Sequence, residues 1–281
     1  MLRKMFNMNF KLMLNQRDFL LAFFSSLLLF LIPAIIDIAT LYGQDIAALA
    51  PAWCYFGVVN GIAGSILSDF VQMYNLFFFP FTVSMAFSAC EFDEKNLNVD
   101  KFIITRSGRA AHYLSQALVT FTGGFLMVFL PSVLSELTLM AAIPLQSNKL
   151  CPNYPLDPAL LLQNVNFFQY FCCHYPYLYY FVYDIIGSVI GGLIGLLSYS
   201  ISLYFKVNRF LVITIPGIIY LAAGLILDIF GLHAMTPENL IVPPIETEGI
   251  KPIYSVILIG GLLAIDFISV LGKIYIKKDE I

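Results

Sequence analysis

The sequence carries too little charge to cover the surface of a water-soluble protein of its size. Only 12% of its 281 residues are Asp, Glu, Lys or Arg, whereas about 25% is usual in soluble domains. Hydrophobic residues make up 59% of the chain, and the mean hydropathy is +0.83. Lipid is therefore the expected solvent for most of the chain. The net charge of -3 says little about nucleic acid, but the basic residues are not clustered into a stripe, so no nucleic-acid partner is expected.

Motifs of nucleotide, zinc and serine chemistry are also missing. The sequence has no G-x-x-x-x-G-K-[ST] phosphate loop, no H-E-x-x-H pair and no G-x-S-x-G elbow. We therefore expect no ATP hydrolysis, no catalytic residue and no cofactor on this chain. His112, His174 and His233 are scattered near the predicted ends of spans, so no metal site is predicted.

Cysteine is scarce, with five residues in the whole chain. The topology derived below places Cys90 at the inner face and the other four cysteines outside. A disulfide between Cys151 and either Cys172 or Cys173 would form in an oxidising exterior. Free thiols in a reducing niche are the alternative, and the sequence leaves the choice open.

Six runs are apolar and long enough to cross a bilayer, which takes about 20 residues. They are continuously apolar, so they predict helices and not the alternating strands of a membrane barrel. No small-residue cleavage site follows the first run, so we interpret it as a retained span. The predicted fold is an all-α membrane protein with six transmembrane helices in one domain, residues 1–281. The spans are Phe19–Tyr42, Phe70–Cys90, Tyr113–Leu134, Tyr179–Phe205, Phe210–Phe230 and Ile253–Gly272.

The basic residues are distributed very unevenly between the connections. Of the 15, 13 fall in the N-terminal segment, the second-to-third connection, the fourth-to-fifth connection and the C-terminal tail. Only Lys149 and Lys251 fall on the other side. The positive-inside rule therefore predicts that the N- and C-termini are cytoplasmic. The expected location is the plasma membrane, such as a bacterial inner membrane, with several passes.

Segments outside the spans complete the predicted topology. Residues 1–17 mix cations with Leu, Met and Phe, which predicts an interfacial helix, a disordered basic tail being the alternative. The segment Ile46–Leu67 is also apolar. However, Pro51 and the glycines of this segment favour a re-entrant or outer segment over a seventh span. A seventh span would also move a basic loop outside. Residues 143–178 and 232–252 are predicted extracellular loops.

The most charged part of the chain is the predicted cytoplasmic loop at residues 91–111. Within that charge lies the apolar cluster Phe102-Ile103-Ile104, which a merely solvated loop would not need. A short helix that docks into a partner's groove would use such residues. A turn that lies on lipid is the alternative interpretation.

This loop resembles the region between the second and third spans of type-2 ABC exporter permeases. In that family an acidic patch leads into a short helix and a Ser/Thr-Pro-x-Arg-like turn. Here Glu94 is followed by Phe102–Ile104 and then by Thr105–Arg109. The six spans, the inner termini and the N-terminal interfacial helix fit the family plan as well. Residues 95–99 lack the family's frequent Gly-Thr, and Gln116 stands where Lys is common.

The resemblance implies partners and a function. This chain would be the non-catalytic permease subunit, with ATP and Mg²⁺ bound on a separate ATP-binding cassette ATPase. It would pair with a second permease chain, identical or related, among membrane lipids. Export of an antimicrobial peptide, a bacteriocin or a lipid-like amphipathic substrate would be its activity. A coupling helix at Glu91–Lys101 would contact the ATPase. The implied coupling residues are Glu91, Asp93, Glu94, Asn96, Phe102, Ile103, Arg106 and Arg109.

Glycines in the fourth span predict close helix packing. Gly187, Gly191 and Gly195 recur at a spacing of four, which lets two helix backbones approach. The pattern fits packing within the bundle and a seam with a second chain equally well.

Acidic residues at membrane depth predict an outer vestibule for a cationic or amphipathic substrate. Such residues usually face the bundle interior or a cavity. Snorkelling to the headgroup layer is the alternative for each residue taken singly. The candidates for a substrate path are Asp37, Glu136, Asp184, Asp228 and Asp266.

Two other functions compete with an ATP-driven permease. A secondary transporter driven by an ion gradient would have polar, helix-broken spans near the midplane, and only Pro80 and Asp266 favour it. An intramembrane enzyme would need Asp, His or Glu clustered within one or two spans. The sequence has no such cluster.

Overall fold

The computed structural model describes residues 1–45, 49–56, 66–97, 99–146, 174–205, 208–241 and 252–275. These ranges are helical and contain no strand, which confirms the predicted all-α class. Two short 3₁₀ turns lie at Ala52–Tyr55 and His233–Met235. The helices are α1 (Leu2–Asn15), α2 (Arg17–Leu41), α3 (Ile66–Met73), α4 (Phe79–Ser84), α5 (Cys90–Asn96), α6 (Asp100–Ser107), α7 (Arg109–Ala142), α8 (Pro176–Tyr204), α9 (Arg209–Ile229), α10 (Pro237–Ile241) and α11 (Pro252–Tyr275).

Five of the described helices, α2, α7, α8, α9 and α11, are long and apolar enough to cross a membrane. A continuous helix satisfies its backbone groups internally, as lipid requires. The five helices coincide with the first, third, fourth, fifth and sixth predicted spans. The chain therefore has the architecture of a multi-pass helical membrane protein.

The second predicted span, Phe70–Cys90, is not one regular helix. The chain is α-helical in α3, widens into a π turn at Tyr74–Phe78 and resumes as α4. Pro80 lies just after the π turn. It has no N–H to donate, and its ring clashes with the carbonyl one turn earlier, so the regular α ladder is interrupted there. The helical path ends at Ser84, and Cys90 already begins α5.

Residues 66–93 nonetheless run the length of α2 in the opposite direction. Near the C-terminal end of α2, the Asp37 carboxylate accepts hydrogen bonds from the first two backbone N–H groups of α3, at 2.9 and 3.0 Å. At the other end, Asp18 is bonded to Arg209 at 2.5 Å, and Arg209 lies 3.5 Å from Asp93. At 1.5 Å per residue, these two contacts are about 28 Å apart along α2. The intervening segment therefore traverses the bundle.

Helices α7 and α8 make the most extensive helix contact in the described chain, here called the α7–α8 seam. A Cβ added to Gly124 would lie 2.9 Å from the carbonyl oxygen of Gly191. A Cβ added to Gly195 would lie 2.9 Å from the carbonyl oxygen of Val83 on α4. A Cβ at Gly187 would meet Ile241 on α10 at 3.1 Å. The glycine stripe of α8 therefore packs inside this chain, so the alternative of a seam with a second chain is not needed to explain it.

The N-terminal residues form a helix, as the composition predicts, and not a disordered tail. Helix α1 packs along the first part of α7. The Asn9 side-chain amide donates a hydrogen bond to the Ser115 hydroxyl at 2.9 Å, and Met13 is fully buried against Gly123. Its position at the membrane interface stays a prediction.

Most of Ile46–Leu67 lies outside the described residues. Its described part packs on the ends of α7 and α8. The Ala52 N–H donates to the Pro144 carbonyl at 3.0 Å, and the Phe56 ring meets the Tyr180 ring edge-on at 5.3 Å. Of the two predicted outer loops, residues 147–173 and 242–251 lie outside the described chain as well.

The two described cysteines differ in oxidation state. Cys54, in the 3₁₀ turn, is disulfide-bonded. Cys90 is a buried free thiol. The predicted pairing of Cys151 with Cys172 or Cys173 falls outside the described residues and stays a prediction. The expected placement of these two cysteines at opposite faces of the membrane stays a prediction.

Substitution Gly195→Ala is expected to destabilise the protein. The new methyl group would meet a backbone carbonyl that cannot move without shifting α4, and overpacking of this kind costs about 1–3 kcal/mol. Thermal unfolding in detergent measures the effect. The matched control is Gly224→Ala on α9, where nothing lies within 4 Å of the added Cβ. Equal stability of the two variants would contradict a close-packed seam.

Candidate functional site

A cluster of two glutamates and one histidine lies where α5 meets the start of α7. Glu91 and Glu94 are three residues apart on α5, so their side chains are neighbours on one side of the helix. The Nε2 atom of His112 lies 3.6 Å from Glu91 Oε2 and 3.3 Å from Glu94 Oε2. The side chains of Glu91 and His112 are fully buried, and that of Glu94 is 16% exposed. The carboxylates therefore face inward and not toward a partner.

The other oxygen of Glu91 binds a cation on the same helix. Lys95 Nζ lies 3.1 Å from Glu91 Oε1, one turn away. Burial acts to raise the pKa of Glu91, but His112 and Lys95 together outweigh burial and hold the pKa below its ordinary value. Burial also raises the pKa of Glu94, to about 7, against the opposing effect of His112. The two neighbouring carboxyls thus have different proton affinities.

A hydrogen-bonded pair connects this cluster to the α7–α8 seam. The hydroxyl of Tyr199, on α8, donates to Gln116 Oε1 at 2.9 Å. The amide end of Gln116 faces Glu94. Both Gln116 and Tyr199 are fully buried. The position of Glu94 is therefore tied to α8 as well as to α7.

Three large apolar side chains at the end of α5 and the start of α6 are exposed among polar ones. Leu97 is 72% exposed, Phe102 is 70% exposed and Val99 is 37% exposed. We call these three residues the α5–α6 patch. Large apolar side chains exposed beside charged ones are typical of a surface that a partner covers. The exposed apolar patch thus lies next to the buried acidic cluster in the chain.

The predicted coupling residues separate into two groups in the structure. Asn96, Phe102 and Arg106 are exposed, and Asp93, Ile103 and Arg109 are half-buried. Glu91 is fully buried and Glu94 is turned toward His112, so neither offers its carboxylate to a docking protein in this arrangement. The acidic patch that the sequence places at the surface is an internal feature. The predicted single helix at Glu91–Lys101 is also divided, since α5 ends at Asn96 and α6 begins at Asp100.

Asp93 joins a separate ion-pair group at the same end of the bundle. Arg209 bridges Asp93 and Asp18, and so connects α9, α5 and α2. Burial raises the pKa of Asp93, which Arg209 opposes and Asp18 reinforces. These side chains are between 28% and 39% exposed, so the pairs orient the segments more than they stabilise them.

At the opposite end of the α7–α8 seam, two of the predicted acidic residues form a pair. The side chains of Glu136 on α7 and Asp184 on α8 lie close enough to interact with each other. Two carboxyl groups this close repel each other when both are ionised. The pair borders a small cavity of about 30 Å³ that is also lined by Asn75, Ser132 and Ser135. Two acids from different spans therefore converge on one cavity, which linear sequence reasoning does not show.

The other three predicted acidic residues each have a hydrogen-bonding or charged partner elsewhere in the bundle. Asp37 accepts the two backbone N–H groups of α3 described above. Asp228 lies 2.8 Å from His233 at an exposed helix end. Asp266 accepts a hydrogen bond from the Ser200 hydroxyl at 3.1 Å and is buried between α8 and α11. None of the three lines the cavity that Glu136 and Asp184 border.

Comparison of the chain with family models, with curated proteins and with solved structures found no match.

Replacing Asp37 by Ala is expected to reduce stability and not the affinity for a substrate. Two N–H groups at the start of α3 would lose their acceptor, a loss that costs about 1–2 kcal/mol at helix N-termini. Unfolding in detergent measures it. The control is Asp228→Ala, whose exposed pair contributes at most about 1 kcal/mol. An Asp37→Ala protein as stable as the wild type would show that this carboxylate does not anchor α3.

Proposed function

We propose that this chain is the membrane-spanning subunit of a transporter that a separate ATPase drives. The observation that carries the proposal is the α5–α6 patch, which exposes apolar side chains at the most charged end of the molecule. A partner that covers this patch would contact α6, which joins α7 directly at Gly108. No phosphate loop is present in the sequence, so the nucleotide would bind to that partner.

Six membrane crossings are the topology that best fits this role. Five helices are long and apolar enough to span, and residues 66–84 form the sixth crossing in this proposal. The path of residues 66–93 along α2 supports the sixth crossing, because the end of α2 and the start of α7 lie at opposite ends of the bundle. The contact of Asp18, Asp93 and Arg209 unites three of the four basic segments at one end. Basic residues favour the cytoplasmic side, so the N- and C-termini are cytoplasmic in the proposal.

The second permease chain would lie against the helices that the α7–α8 seam leaves uncovered. In the most apolar stretch of each helix, only 22% of α9 and 11% of α11 is buried. Gly260 and Gly261 on α11 have nothing within 4 Å of an added Cβ. Small residues on a lipid-facing helix are a common feature of helix association in membranes. Helix α11 is therefore the proposed contact with the second chain.

The Glu136–Asp184 cavity is the proposed substrate-contacting region. A buried carboxyl pair that loses its proton becomes negatively charged and favours a cationic group. The lining of hydroxyl, amide and aliphatic side chains adds hydrogen-bonding and apolar surface. This chemistry suits a cationic or amphipathic substrate, such as a peptide, which the proposed subunit would export.

An ion-gradient-driven transporter is the second candidate, and the same carboxyl pair favours it. A pair that exchanges a proton within a cavity is the kind of group that couples transport to a proton gradient. The two candidates differ in their energy source. ATP-dependent transport in vesicles without a proton gradient fits the first candidate, and gradient-dependent transport without ATP fits the second.

Topology is tested with single cysteines at exposed positions near the two ends of the bundle. Thr105→Cys on α6 is expected to resist an impermeant thiol reagent in intact cells and to react after permeabilisation. Gln44→Cys, beyond the end of α2, is expected to react in intact cells. Both variants are made in a chain whose five native cysteines are replaced by serine, so that only the introduced thiol can react. Reaction of Thr105→Cys from outside would reverse or refute the six-span arrangement.

Docking of the ATPase is tested by Phe102→Asp. A charge at the centre of an apolar contact is expected to weaken binding at least about tenfold, as loss of an interface hot spot does. The partner is first trapped with a photoreactive residue at position 102. Its retention during purification and the ATP hydrolysis of the complex are then measured.

The matched control for Phe102→Asp is Tyr42→Asp, which changes a side chain that is 90% exposed at the far end of α2. This variant is expected to keep both retention of the partner and ATP hydrolysis. Unchanged hydrolysis with Phe102→Asp, or the absence of any phosphate-loop protein among the trapped partners, would contradict the proposed role of the patch.

A further inference from the structure

The cluster of Glu91, Glu94 and His112 has the dimensions of a metal site. Its nitrogen–oxygen separations of 3.3 and 3.6 Å are long for charge-assisted hydrogen bonds. An ion with bonds of about 2.0–2.1 Å holds two tetrahedral ligands about 3.4 Å apart. One ligand atom from each of the three residues lies within 4.8 Å of the other two. The spacing is thus that of ligands around a common centre.

The buried histidine is an independent sign that something else belongs at this place. The His112 side chain is fully buried, and neither of its ring nitrogens makes a hydrogen bond of good geometry within the described chain. A buried polar group without a partner carries an uncompensated desolvation cost. Its Nε2 atom is directed at the two carboxylates. An ion between the three groups would remove this cost at Nε2.

Local structure holds the three groups rigidly. Glu91 and Glu94 lie on consecutive turns of α5. His112 lies in the first turn of α7, where its backbone N–H donates a hydrogen bond to the Gly108 carbonyl at 3.1 Å. Gly108 has φ +78°, a conformation that glycine adopts readily. This residue therefore lets the chain reverse between α6 and α7 and bring His112 back over α5.

We propose that Glu91 Oε2, Glu94 Oε2 and His112 Nε2 bind one divalent transition-metal ion. One imidazole and two carboxylates suit Zn²⁺ and Mn²⁺. Lys95 occupies only the other oxygen of Glu91, so that pair survives ion binding. Three protein ligands leave a fourth position for water, and Glu94, the one partly exposed member, marks the side from which the ion enters. The ion would fasten α5 to α7. The inference is independent of the proposed transport function.

Metal binding is tested on the full-length protein in detergent, purified without a histidine tag and treated with a chelator. Zn²⁺ is titrated by calorimetry, and bound Mn²⁺ is counted by electron paramagnetic resonance. Mn²⁺ is included because it has little affinity for thiols. The expected result is one ion per chain and a higher unfolding temperature with the ion.

The variant Glu94→Gln keeps the size of the side chain and removes a charged ligand. It is expected to weaken binding by at least about tenfold, since even outer partners of metal ligands are worth 10–100-fold. His112→Ala is expected to abolish binding. The matched controls, His233→Ala and Glu238→Gln, alter a histidine and a glutamate outside the cluster and are expected to bind as the wild type does.

Two outcomes would overturn the proposal. One is a folded wild-type protein that binds less than one ion per chain at saturation. The other is undiminished binding by Glu94→Gln, which is informative even if His112→Ala does not fold. In either case His112 would be a buried imidazole that lies between two carboxylates without binding an ion.

Discussion

The close approach of α7 and α8 is the constraint on which the rest of the structure depends. Lipid offers helices no hydrophobic reason to associate, so contact must come from tight packing. Here the backbone of Gly191 fills the space that a side chain at Gly124 would occupy. The acidic pair and its cavity lie at one end of this contact. Gln116 and Tyr199, which lead to the Glu91–Glu94–His112 cluster, lie at the other.

Every fourth residue of α7 contributes to this arrangement. Four residues turn a helix by about 400°, so such a series winds slowly around it. The first residue of this series, His112, contacts α5, and the later residues face α8. All its members are buried, and most are small or polar. The series is His112, Gln116, Thr120, Gly124, Val128, Ser132 and Glu136.

Much of the fold could be predicted from the sequence, because long apolar runs have few alternatives in lipid. The five spanning helices and the N-terminal helix follow from local composition. The break in the second span does not, because a π turn depends on how the chain relaxes around Pro80. The role of the glycine stripe was also undecided, because its partner, Gly124, lies on a helix far away in sequence.

The candidate site was less predictable for a related reason. A run of charged residues such as 91–95 usually marks a solvated face, and nothing local signals that Glu91 is fully buried. Its burial depends on the packing of α7 against α5, and its partner His112 is distant from it in the sequence. In the same way, Glu136 and Asp184 are distant in the chain and meet only through the α7–α8 seam. The exposed patch was different, since Phe102 is apolar among charges, a local contrast that sequence does reveal.

The two candidate regions are connected mechanically by α7. From His112 to Glu136 this helix rises about 36 Å at 1.5 Å per residue, so a displacement of its first turn is transmitted to the cavity as long as the helix stays straight. Pro131 interrupts this continuity, because it leaves the carbonyl of Met127 without its usual donor and makes this the point of easiest bending. On the N-terminal side of Pro131, the Gly124 contact fixes α7 to α8; on its C-terminal side, Glu136 faces Asp184 of α8. A displacement of α6 would therefore be carried along α7 as far as the Gly124 contact, and the bend at Pro131 would let the Glu136 end of the helix move separately.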